Sequence, residues 1–176
     1  DAALRAARSL SEPCGPAIAA KAISFSTAGV AAGIRRFAAE RLPYRLIVSL
    51  TSADPARRRE LMPAAPPLPE LRDALREYHA ATGRRVTLAW TMIAGVNVRE
   101  ADAIQLAEWV RGLPITLDLI DVNDATGRFR PPGPEELAAF RDALRRHLKM
   151  PVARRYSGGQ DIHAACGMLA GGAERR

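Results

Sequence analysis

Five short apolar or β-branched runs alternate with helical segments along this chain, and that alternation restricts its fold more than any other feature. The runs are KAISFST (21–27), YRLIVSL (44–50), GRRVTLAWTMI (83–93), PITLDLID (114–121) and MPVARRYS (150–157). The second is almost continuously apolar, as expected of a strand buried on both faces. Between them lie AGIRRFAAE and a helix with Leu71, Leu75 and Tyr78 on one face. Another helix has Ala103, Leu106, Ala107 and Val110 at helical spacing, and a further one starts at PEEL and buries Leu137, Phe140, Leu144 and Leu148. Proline and acidic residues at PEEL suit a helix N-terminus. A last helix is expected over DIHAACGMLA, after the Gly158-Gly159 turn.

Such an alternation calls for an α/β fold: a parallel sheet with outer helices and right-handed crossovers. About five parallel strands are too few to close an eight-stranded barrel. Two architectures remain, the later strands of a partial (β/α) barrel and an open doubly wound sheet. No internal repeat, low-complexity tract or second domain interrupts residues 1–176. The chain begins with Asp1 inside a helical pattern, so a piece of a longer protein is expected.

Composition excludes some classes. At 176 residues, 48% apolar and 26% charged, the chain can bury a core. No apolar run reaches the roughly 18 residues of a membrane span. No secretory signal pattern opens the chain. Two cysteines, Cys14 and Cys166, make no disulfide framework, and a reducing cytoplasm is the expected location. The net charge of +7 suits a polyanion such as nucleic acid. Only Lys21 and Lys149 are lysines, and the wealth of Arg, Ala, Pro and Gly also fits GC-rich coding.

In parallel α/β folds, ligands bind at the C-terminal ends of the strands. Ser26 and Thr27 end the first run, Ser49, Thr51 and Ser52 the second. Asn97 follows the third, Asp121, Asn123 and Asp124 the fourth, and Tyr156 and Ser157 the fifth. Residues of these types also terminate strands and cap helices, but five sets at one end of one sheet predict a pocket there. There is no Walker loop, GxGxxG or HExxH. His79, His147 and His163 lie on expected helices without partners at metal spacing and read as surface residues.

Several segments, in order, resemble a known family. SFSTAGV is similar to a Ser-Thr-x-Gly-Val segment. IVSLTSADPARRRELMP is similar to Ser-Leu-His followed by Arg-x-x-Leu-Met-Pro, and TGRRVTLAWTMIAGVN to Thr-Gly-Arg-Arg-Val-Thr with a Gly-Val-Asn turn. ITLDLIDVND resembles Asn-Leu-Ile-Pro-x-Asn-Pro, and DIHAACGMLA closely matches Asp-Ile-x-Ala-Ala-Cys-Gly-x-Leu-Ala. The family is that of the dual-specificity RNA methyltransferases of the radical S-adenosylmethionine superfamily (RlmN/Cfr type), and the likeness covers its C-terminal part.

The resemblance implies a radical-enzyme partial (β/α) barrel whose cluster-binding N-terminal part is absent from this chain. It implies S-adenosylmethionine and a 4Fe-4S cluster, the cluster's ligands lying upstream, and an electron donor such as flavodoxin. The implied reaction methylates an adenine of ribosomal RNA, or in some members tRNA, through a methylated cysteine at the position of Cys166. S-adenosylmethionine contacts fall on Ser26, Ser49, Leu50, Thr51 and Asn123. Arginines near the pocket mouth, Arg128 and Arg130 around Phe129 and the Arg154-Arg155 pair, are the expected RNA contacts. A cysteine such as Cys166, taken alone, is commonly a small buried hydrophobe. A sulfur nucleophile needs thiolate character and access, and Gly167 leaves room beside it.

Departures from the family pattern are Thr51 for His, Asp121 and Asp124 for prolines, Ala89 for a frequent Glu, and Gly158 for Arg. They leave two other readings open. One is a noncatalytic RNA-binding barrel. The other is a radical enzyme of the same superfamily with a small-molecule substrate.

Overall fold

The computed structural model describes residues 2–124, 126–156, 158, 162 and 165. Its order is α1 (Ala2–Ser11), a 3-10 turn (Ala20–Ala22), β1 (Ser24–Thr27), α2 (Ala31–Ala39), β2 (Arg45–Ser49), α3 (Pro55–Leu61), α4 (Leu68–Thr82), β3 (Val86–Met92), α5 (Glu100–Trp109), β4 (Ile115–Asp121), α6 (Pro134–His147) and β5 (Val152–Arg155). All five expected strands form. The expected final helix, with Cys166, lies outside the described residues.

The strands are all parallel and lie in sequence order, β1-β2-β3-β4-β5. With right-handed crossovers, an order that never reverses keeps every crossover helix, α2 to α6, on the same side of the sheet. A doubly wound sheet needs a reversal and a second helical layer. The structure therefore decides between the two expected architectures in favour of the barrel-like one.

Burial agrees. One core joins Leu46, Val48, Leu88, Trp90, Leu117 and Leu119 to Ile34 and Phe37 of α2, Leu71 and Leu75 of α4, Leu106 of α5, and Phe140 and Leu144 of α6. Successive strand residues point to opposite faces, so their neighbours line the other face. Register places Ser26, Ile47, Thr87 and Thr116 in one row there. Ser49, Ala89, Asp118 and Ala153 form the next. This face is polar, and the Thr87 and Thr116 hydroxyls bond across it at 3.0 Å.

Thus β2 is not buried on both faces as its sequence suggested. Leu46 and Val48 are buried, while Ile47 and Ser49 are only half-buried. Its apolar run arises because Ile47 looks into the concave side of the sheet.

α3 was not foreseen, because a Pro-rich stretch follows it directly. Its start carries a legible signal: Asp54 accepts a bond from the Arg57 amide at 2.7 Å, and Pro55 occupies the first turn.

Candidate functional site

The C-terminal ends of β1 and β2 are joined by a buried arginine. Arg58, on α3, is 3% exposed. Its Nη2 donates to the Ala28 carbonyl at 2.9 Å, and its Nη1 to the carbonyls of Ser49 (3.1 Å) and Leu50. Burial lowers its pKa, yet an arginine remains a cation at any working pH.

The next residue, Thr51, has φ of +58°, a conformation that costs a β-branched residue strain. The Ser52 amide closes a tight turn around it, 2.6 Å from the Leu50 oxygen. Asn97 holds the far side. Fully buried, it donates to the carbonyls of Thr51 (2.7 Å) and Thr91 (2.8 Å) and accepts from the Ile93 amide (2.8 Å). Trp90 Nε1 caps the Asn97 carbonyl at 3.1 Å.

This geometry sorts the expected S-adenosylmethionine contacts. Ser26 and Ser49 both lie on the open polar face, Ser26 exposed and Ser49 half-buried. Leu50 is fully buried, its amide bonds Ala89 and its carbonyl already has two donors, so it frames the site. Thr51 is 7% exposed with its carbonyl taken by Asn97. Asn123 is half-buried in the loop two residues beyond β4. Asn97, read from sequence as a pocket residue, instead braces the backbone. Arg58 was missed as an individual residue; its only signal was its place in the Arg-x-x-Leu-Met-Pro segment.

The arginines separate as strand alternation requires. Arg155 pairs in register with Ile120 and so lies on the concave face, where its Nε forms an ion pair with Asp118 Oδ2. Asp118 is 6% exposed, and that oxygen has no aligned hydrogen bond. Arg154 turns to the helix side. There it bonds Asp121 at 2.7 Å and lies 4.9 Å from the centre of the Tyr156 ring. The Asp121 bond raises the Arg154 pKa. Tyr156 is 79% exposed.

The loop after β4 is organised by Asp124. Its carboxylate accepts from the Thr126 hydroxyl (2.6 Å), the Thr126 amide (2.9 Å) and the Phe129 amide (2.8 Å), which lowers its pKa. Arg128 lies over the Phe129 ring at 4.9 Å. The exposed Arg130 is anchored by its carbonyl, 2.9 Å from the Ala94 amide. Cys166, Ser157 and His163 lie outside the described residues.

Among the described residues, no three His, Cys, Asp or Glu side chains gather as a metal site. The chain's two cysteines cannot supply three thiolates, so these residues do not fit a 4Fe-4S cluster. Hydroxyls on an open polar face beside a braced turn do fit a small polar ligand such as S-adenosylmethionine. No helix among the described residues is long and apolar enough to cross a membrane.

No family model matches the chain. It is 56% identical over 172 residues to a probable RNA methyltransferase of Anaeromyxobacter sp. (strain Fw109-5), covering 96% of this chain and 51% of that one. It is 40% identical over 180 residues to a probable dual-specificity RNA methyltransferase RlmN of Symbiobacterium thermophilum, covering 100% and 48%. A solved radical SAM methyltransferase from Sphaerobacter thermophilus superposes with a TM-score of 0.88 at 38% identity, over 95% of this chain and 50% of that one. The chain thus spans about half the length of these relatives. With matching strand-end segments and likeness over almost its whole length, it is related to the RlmN-type family of radical S-adenosylmethionine RNA methyltransferases, matching about half of each of these relatives.

Proposed function

We propose that this chain is the C-terminal part of a longer radical S-adenosylmethionine methyltransferase acting on an adenine base of ribosomal RNA, with tRNA as a further substrate. The observation that carries the reading is the polar face of the sheet, where, among the described residues, Ser26 and Ser49 sit at the strand ends of a sheet related to RNA methyltransferases. Ser26, Ser49 and Asn123 bind S-adenosylmethionine through their polar side chains. Leu50 and Thr51 hold the shape of its seat. The 4Fe-4S ligands belong to the upstream part of the full-length protein, and an external electron donor such as flavodoxin serves it.

Cys166 is the methyl carrier. Its thiolate sulfur attacks the methyl carbon of one S-adenosylmethionine: a new S–C bond forms, the sulfonium S–CH3 bond breaks with its electron pair going to the departing sulfur, and S-adenosylhomocysteine leaves with no net oxidation. RNA approaches from the C-terminal ends of β4 and β5. Arg128 and Arg130 neutralise phosphates, and Phe129 and Tyr156 offer ring faces for bases. Arg154 and Arg155 contribute after leaving, or together with, their partners Asp121 and Asp118.

The test is nucleoside mass spectrometry of ribosomal RNA incubated with the cluster-loaded full-length protein and S-adenosylmethionine. The reading predicts a new methyladenine that disappears in Cys166→Ala. RNA bound but left unmodified, with Cys166→Ala binding equally well, would instead identify a binding module. Salt-insensitive, weak RNA affinity would point to a small-molecule substrate.

A further inference from the structure

Arg58 raises a question that its packing does not answer. Placing a cation at 3% exposure carries a large desolvation cost. Among the described residues its hydrogen-bond partners are three carbonyl oxygens and the Met62 sulfur, and none is a carboxylate. Its Nε is buried with no hydrogen-bond partner among the described residues. An apolar side chain would fill the same space without that cost. What it could not do is bond two strand ends at once.

Those two ends carry the candidate hydroxyls. Ala28 lies two residues after Ser26, and the Ser49 and Leu50 carbonyls directly precede the strained turn at Thr51. Gly29, beside Ala28, has φ of +107°, and a Cβ there would stand 3.0 Å from Leu71 Cδ1. The end of β1 is therefore pressed onto α4 while Arg58 pulls it toward β2. A planar guanidinium fork fixes both distances; a flexible ammonium cannot.

We propose that Arg58 is a positioning residue for S-adenosylmethionine: its guanidinium couples the end of β1 to the end of β2 and so sets the spacing of the Ser26 and Ser49 hydroxyls. This rests on the S-adenosylmethionine reading above. It adds a residue that touches no cosubstrate itself.

The experiment measures S-adenosylmethionine affinity and melting temperature together in the cluster-loaded full-length protein. Arg58→Lys and Arg58→Ala are compared with Phe140→Leu, a core change beneath Trp90 on the helical side. Arg58→Lys should weaken binding at least tenfold. Low-millimolar guanidinium should recover part of the loss in Arg58→Ala. Phe140→Leu should lower the melting temperature and leave affinity unchanged. A second measurement needs no variant: S-adenosylmethionine should slow amide hydrogen exchange in 27–29 and 50–52 together.

Unchanged affinity in both Arg58 variants would overturn the proposal. So would equal weakening by Phe140→Leu at matched stability, or protection of only one of the two segments. Wild-type protein that binds no S-adenosylmethionine would overturn the underlying reading as well, and is distinguished by needing no variant.

Discussion

Asn97 Nδ2 lies 2.7 Å from the carbonyl oxygen of Thr51, 46 residues earlier in the chain, and this bond fastens the loop after β3 to the turn after β2. The same side chain satisfies the Ile93 amide and the Thr91 carbonyl. Asn97→Ala would leave two buried groups, the Thr51 carbonyl and the Ile93 amide, and the part-buried Thr91 carbonyl without their side-chain partner, and should cost about 2–4 kcal/mol. Denaturant unfolding of the variant checks this; a loss below about 1 kcal/mol would mean that water replaces the amide.

Thr51 offers the opposite case. Its positive φ stores strain of about 1–3 kcal/mol, against the roughly 0.5–1 kcal/mol of added chain entropy that glycine brings. Thr51→Gly should therefore hold or raise stability, by up to about 1 kcal/mol. The same unfolding experiment measures it, and a loss above about 1 kcal/mol would show that the buried threonine side chain outweighs the strain.

Asp124 ties pH to the order of the 124–130 loop. Hydrogen bonds from the Thr126 hydroxyl, then from the amides of Thr126 and Phe129, lower its pKa. A lowered native pKa makes the contribution fully present above the ordinary carboxylate value and lost as pH falls through the lowered one. The Phe129 amide resonance should follow Asp124 in an NMR titration, with its midpoint below the ordinary aspartate pKa. A midpoint at or above that value would contradict these bonds in solution.

This 176-residue chain alone should take up no 4Fe-4S cluster, since it holds two cysteines. Anaerobic reconstitution followed by iron and sulfide analysis checks the point. A stoichiometric cluster would place ligands within this chain after all.

Strand positions were legible because each apolar run is bounded by Gly, Pro or polar residues. The apolar runs alone left the one-sided helical layer open, because Ile47 makes β2 look apolar on both faces; the family resemblance implied it, and the unreversed strand order agrees. Ser26 and Ser49 were readable as strand-end hydroxyls. Arg58 was not readable as a brace: the Arg-x-x-Leu-Met-Pro spacing picks it out of the Arg57-Arg58-Arg59 run, but only the turn of α3 shows that it points inward. Asn97 was readable as important and not as a brace, because an asparagine that binds a ligand and one that binds backbone look alike in sequence. Asp118 and Arg155 meet only through the register of β4 and β5.

The most direct test of the account is tandem mass spectrometry of the full-length protein, produced in cells with its cluster and S-adenosylmethionine. One methyl group is expected on the sulfur of Cys166, absent when Ser49 is replaced by a bulky residue that blocks the polar face. A cluster-loaded protein that consumes S-adenosylmethionine while Cys166 stays unmodified would contradict it.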